Sequence, residues 1–147
     1  QEGNLELELE ATSLQQDTSS GESQLTNPRL KLETPPGTLW SIKSQIGTVS
    51  TRGSNQDGIS EQRIELSGKV LISRRTAEDQ LVEIRSDNFI LLPKRQYGET
   101  LSSVTVNFGN NVTTAGKLSI DLRLGEMKLG SSSTEYVETK ISELKDW

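Results

Sequence analysis

Leu5-Glu6-Leu7-Glu8-Leu9-Glu10 alternates apolar and acidic residues without a break. On a strand the leucines share one face and the glutamates the other, whereas a helix would turn Leu7 away from Leu5 and Leu9. The stretch therefore reads as a half-buried strand. The same alternation returns at Leu30-Lys31-Leu32-Glu33, Trp40-Ser41-Ile42-Lys43, Val104-Thr105-Val106-Asn107-Phe108 and Leu118-Ser119-Ile120-Asp121-Leu122-Arg123-Leu124. An all-β chain with one apolar face is expected.

The breaks between these runs set the organisation. Pro35-Pro36-Gly37 ends a ladder after Glu33, so 30–33 and 40–43 are expected to form a hairpin. Residues 15–24 read as a polar turn around Ser19-Ser20-Gly21, and 49–59 as the longest loop. Ser67-Gly68 interrupts the run from Ile64 to Ile72 and either joins two short strands or bends one, because glycine inside a strand pattern marks a bulge. Val82-Glu83-Ile84 and Phe89-Ile90-Leu91 read as a pair divided by Ser86-Asp87-Asn88. Gly125 separates 118–124 from Met127-Lys128-Leu129 in a final hairpin. The units repeat loosely, as stacked strand pairs that would leave the first and last edges unpaired. Residues 1–130 are expected to be the β-domain and 131–147 an edge strand with a polar tail.

Charge and residue types exclude several functions. With 21 acidic and 16 basic residues the net charge is -5, and Arg74-Arg75 and Lys94-Arg95 are isolated pairs, read as solvated strand ends. That is too little positive surface for nucleic acid. The chain has no His and no Cys, so Ser-His-Asp and Cys-His arrangements and the usual zinc sites cannot be built. Glu6, Glu8 and Glu10 share a face, but it is the solvated face of an amphipathic strand, and nothing marks a cleft with two facing carboxylates. Asn55-Gln56-Asp57-Gly58 lacks the twelve-residue calcium-loop pattern. Asn111-Val112-Thr113 fits the glycosylation triplet, which is common by chance. No enzyme activity and no cofactor are expected, which leaves binding through the apolar face or an edge.

Leu7, Leu9, Leu30, Leu32, Ile42, Leu66, Val70, Ile84, Phe108, Leu118, Ile120 and Met127 are the residues that a curled sheet would turn inward. They can pack as an ordinary sandwich core or line a cavity. Six aromatics in 147 residues leave an aliphatic lining, which suits acyl chains better than flat rings. A carbohydrate-binding β-protein is the alternative, and it would need aromatic platforms.

The chain also resembles the LptC family, the periplasmic component of bacterial lipopolysaccharide export. The likeness rests on Leu25-Thr26-Asn27-Pro28-Arg29-Leu30, on Trp40-Ser41-Ile42-Lys43-Ser44 leading to Gly47-Thr48-Val49, and on Ile64-Glu65-Leu66-Ser67-Gly68-Lys69-Val70. It continues in Ser86-Asp87-Asn88-Phe89, Val104 to Gly109, Thr114-Ala115-Gly116 and the last hairpin, from about Gly3 to Ile141. The resemblance implies a twisted, open β-jellyroll of stacked antiparallel strands, as in LptA, whose interior accepts acyl chains of lipopolysaccharide. It implies a periplasmic domain anchored in the inner membrane by an N-terminal helix that this chain does not carry.

The resemblance also implies partners, with the LptB, LptF and LptG transporter at the N-terminal edge and LptA at the C-terminal edge. It places Leu25, Ser67 and Met127 in the groove, with Leu30, Leu66, Val106 and Leu118 beside them and Leu7, Leu9, Ile42 and Ile120 added by the strand pattern. Gly109, Met127, Leu129, Tyr136 and Ile141 are expected at the partner-facing C-terminal edge. A soluble bridge subunit like LptA is the alternative within this architecture, and the free edges leave a homodimer open.

Overall fold

The structure is a computed structural model that describes residues 6–17, 21–34, 38–53, 60–75, 78–124, 126–130 and 136–140. Its strands are β1 (Glu6–Glu10), β2 (Ser13–Asp17), β3 (Glu22–Thr26), β4 (Arg29–Thr34), β5 (Thr38–Lys43), β6 (Ile46–Gly53) and β7 (Ser60–Arg75). They continue as β8 (Leu81–Leu92), β9 (Tyr97–Thr100), β10 (Val104–Phe108), β11 (Asn111–Ala115), β12 (Lys117–Asp121), β13 (Glu126–Gly130) and β14 (Tyr136–Lys140). All belong to one 14-stranded antiparallel sheet. An open, twisted sheet of that width curls or folds on itself.

The fold line runs through the two longest strands. The second half of β7 pairs with β5, the first half with β6. The first half of β8 pairs with β10, the second half with β9. One wall therefore consists of β1, β4, β5, the second half of β7, the first half of β8, β10 and β11. The other consists of β2, β3, β6, the remaining halves of β7 and β8, β9, β12, β13 and β14. Every other passage between walls is a short link, such as Ala11-Thr12, Asn27-Pro28 and Ser44-Gln45.

The bend has a local cause. Between Ser67 and Val70 the register of β7 against β8 slips, so that three steps on β7 match two on β8 from Asn88 to Ser86. Gly68 and Lys69 take left-handed φ values of 81° and 51° there. A bulge of this kind kinks the strand and increases its twist. On β8 the buried positions change parity at the same point, from Val82, Ile84 and Ser86 to Phe89 and Leu91.

Polar residues satisfy the backbone and one another along this crease. The Asn27 amide donates to the Gln45 carbonyl at 2.8 Å, and the Gln45 amide to the Gly68 carbonyl at 2.9 Å. Asn88 Nδ2 donates to Ser102 Oγ at 2.6 Å while its Oδ1 accepts from Thr100 Oγ1, and Ser86 Oγ donates to the Ser103 carbonyl at 3.0 Å. Buried Ser86 and Thr100 are thus paired rather than stranded in an apolar core.

The expected hairpin of 30–33 and 40–43 is present as β4 and β5, with Leu32 opposite Trp40. The run from 64 to 72 is one bent strand. Three expectations are corrected. Residues 15–24 hold parts of β2 and β3, paired through Leu14 and Leu25; their Gln and Ser residues read as loop because an edge arm has little to bury. The stretch after Val49 is strand as far as Gly53, held by its ladder to β7, while 54–59, including the calcium candidate, lie outside the described residues. Val82–Ile84 and Phe89–Leu91 are halves of a single strand, not two divided strands, because Asp87-Asn88 marks the crease and not a break.

The final hairpin joins β12 and β13. Its first strand ends at Asp121, whose Oδ1 accepts the Leu124 amide at 3.0 Å and closes a turn where alternation alone had continued the strand.

Candidate functional site

The inward faces of both walls form one apolar cluster. In the first wall, one row across the strands is Leu9, Leu30, Ile42, Ile72, Ile84 and Val106. The next row, farther from the crease, is Leu7, Leu32, Trp40, Arg74, Val82 and Phe108. In the second wall Val49, Ile64, Leu91, Gly98, Ile120 and Met127 lie side by side. Cross-strand neighbours of this kind, repeated from strand to strand, make each wall a continuous apolar surface.

Leu25, Leu30, Ile42, Leu66, Val106, Leu118, Ile120 and Met127 are buried, and Leu7 is half-buried against the cluster. Leu9 belongs to an inward row but is 39% exposed, because β1 is an edge strand with β4 alone beside it. Ser67 is the correction. It is exposed, since it alternates with buried Leu66 on β7 just before the bulge.

The residues assigned to the partner-facing edge do not gather there. Met127 and Leu129 point inward from β13, whose outer side is occupied by β14. Gly109 sits exposed in the turn between β10 and β11. Tyr136 begins β14, and Ile141 lies outside the described residues. Among the described residues the pairing leaves free strand edges at β1 and β2 at one end and at β11 and β14 at the other.

Sequence reasoning missed two things about the interior. Beside Phe108, which was expected inside, Trp40 and Phe89 are among the largest fully buried side chains. Their positions in the alternation carried that signal, although the small number of aromatics suggested a mainly aliphatic lining. None of these three can serve as an exposed platform for sugars. Arg74 was read with Arg75 as a solvated pair, yet it stacks on the Trp40 ring at 5.3 Å from the centroid. Burial holds its pKa below the usual guanidinium value. Its parity with Val70 and Ile72 was the available signal.

Among the described residues no group of three or more His, Cys, Asp or Glu could hold a metal ion. No helix among them is long and apolar enough to cross a membrane.

A broad antiparallel sheet folded along a polar crease, apolar within and, among the described residues, unpaired at both ends, defines an open β-jellyroll. A crystal structure with this fold is that of LptH from Pseudomonas aeruginosa, described as the LptA homologous periplasmic component of the conserved lipopolysaccharide transport device. It superimposes with a TM-score of 0.63 at 13% identity, over 90% of this chain and 87% of that one. Residues 1–138 match the family described as "Lipopolysaccharide-assembly, LptC-related". The chain belongs to that family, the periplasmic component of the lipopolysaccharide export system, and its role is in lipopolysaccharide transport and not in catalysis. Among the curated proteins none matches this chain.

Proposed function

We propose that the two walls hold the acyl chains of lipopolysaccharide between them and that the molecule is passed along the roll to LptA at the C-terminal edge. It is received from the LptB, LptF and LptG complex at the N-terminal edge, with the domain tethered to the inner membrane by an N-terminal helix. The observation that carries this reading is the continuity of the apolar lining from the bent centre to the first arm. There Leu9, in line with Leu30, and Leu14, in line with Leu25 and Leu66, emerge 39% and 64% exposed, ready to continue into a neighbouring roll. Acyl chains entering between the walls exchange one apolar contact for another, and each CH₂ removed from water contributes about 0.8 kcal/mol.

Photo-crosslinking tests the reading. With a crosslinker at Leu25 or Met127, lipopolysaccharide adducts form, and with one at exposed Glu8 on the outer face they do not. Equal labelling at all three positions overturns the proposal.

The edge assignment has its own test. Gly109 has a φ of 59° and open space around an added Cβ, so Gly109→Arg costs folding only about 1–2 kcal/mol for the left-handed backbone. It weakens LptA pairing because it places a long cation beside the free edge of β11. A folded variant that binds LptA normally in a pull-down refutes this.

A further inference from the structure

Arg74 is the one charged member of the row Leu7, Leu32, Trp40, Arg74, Val82 and Phe108. Its Nε is buried without a hydrogen-bond partner, and so is Nε1 of Trp40 beneath it. Arg75, on the opposite face, has Asp79 at 3.8 Å. Among the described residues no carboxylate stands within ion-pair distance of Arg74. The cation–π contact occupies the ring face of Trp40 and leaves the indole N–H at the ring edge free to donate.

Two buried donors without partners, on residues paired across β5 and β7, leave an acceptor unaccounted for. Folded proteins seldom leave a buried donor unpaired, because its desolvation goes uncompensated. The acceptor that fits the guanidinium is anionic oxygen. A guanidinium in low-dielectric surroundings prefers a charged partner, and its planar N–H groups match phosphate geometry. The row lies farther from the crease than its neighbour through Ile72 and Ile84, and the Arg74 side chain is only half-buried, so an approaching headgroup can reach it.

We propose that Arg74 and Trp40 form a phosphate site at the rim of the first wall that holds the phosphorylated sugar headgroup of lipopolysaccharide while its acyl chains lie between the walls. This rests on the acyl-chain reading above and adds a polar anchor to it. The anchor fixes which end of the lipid faces out of the roll.

The test uses the full chain with Trp147→Phe, so that Trp40 is the single remaining tryptophan and its emission reports binding. Lipopolysaccharide and its chemically dephosphorylated counterpart are titrated against this protein and against Arg74→Met. The expected result is a loss of about tenfold to a hundredfold in affinity for the phosphorylated lipid in Arg74→Met, with the dephosphorylated lipid bound equally by both proteins. Arg74→Lys, which keeps the charge without the planar fork, retains part of the preference and serves if the methionine variant does not fold.

Unchanged affinity for the phosphorylated lipid in either variant overturns the proposal. So does an equal loss for both lipids, which points to an acyl carbonyl or a structural role. Inorganic phosphate alone leaves the Trp40 emission unchanged; a shift as large as that with lipid means a free-anion site and also overturns it. Crosslinking from Met127 in the Arg74→Met protein separates the two readings. Adducts that persist there alongside an unchanged phosphate preference remove the anchor and keep the acyl groove, whereas absence of adducts in the parent removes the groove itself.

Discussion

Gly98→Ala lowers the free energy of unfolding by about 3 kcal/mol, measured as a drop in the urea midpoint at unchanged slope. An ideal Cβ on Gly98 falls against Cζ of Phe89 and 2.7 Å from its Cε2. Real Cβ atoms do not approach that closely, so the ring must leave its place. Phe89 is fully buried and packed in the interior cluster, which gives it nowhere to go without opening a void or displacing a neighbour. Combining Gly98→Ala with Phe89→Leu recovers part of the loss, because the smaller side chain vacates the space that the new methyl needs. The two changes are therefore non-additive, with a coupling that a double-mutant cycle measures. Additive losses would mean that the close approach of glycine to ring is not the cause.

Ile84→Asp is expected to cost more than about 4 kcal/mol, enough to abolish cooperative unfolding in a circular-dichroism melt. Ile84 is 1% exposed, opposite Ile72 on one side and Val106 on the other. A carboxylate placed there is shut off from solvent and has no cation within its own row. Its neighbour supplies the control. Arg85 points outward on the same strand and holds an exposed ion pair with Glu83 at 3.3 Å, an arrangement that contributes little. Arg85→Ser shifts stability by no more than about 0.5 kcal/mol. A mild Ile84→Asp variant would show that the two walls are not closed on one another at that position.

Much of this architecture was legible in the residues. Alternation at Leu5–Glu10, Leu30–Glu33, Trp40–Lys43 and Val104–Phe108 identified strands and their inward faces, since a strand exposes only two choices of side. It failed where burial is slight. Gln15, Gln16, Ser23 and Gln24 pair backbone to backbone without an apolar signature, because the ladder between β2 and β3 asks nothing of their side chains. It failed also where parity changes within one strand, as at Ser86-Asp87-Asn88, which looks like a turn in a linear pattern. Ten of the twelve residues expected to face inward lie in the interior cluster, but Ile64, Ile72, Phe89 and Leu91 were not among them, and it was the resemblance rather than the alternation that put Ser67 inside. Arg74 went unrecognised for the opposite reason, since a paired Arg-Arg dipeptide suggests solvent and only the register with Trp40 and Val82 reveals that one of the two faces inward.

The continuous passage of β7 and β8 through the crease has a mechanical consequence. These two strands share the most extensive ladder in the molecule, and each is a single covalent rod spanning both walls. The other crossings are separate strands joined by short peptide links, and the outermost arms have a neighbour on one side only. Breathing of the roll is accordingly graded along its length, least at the spine formed by β7 and β8 and greatest at its two ends. On the proposed transit, a guest entering at one end and leaving at the other would meet compliant ends and a stiff middle, so the spine would set the resistance to its motion.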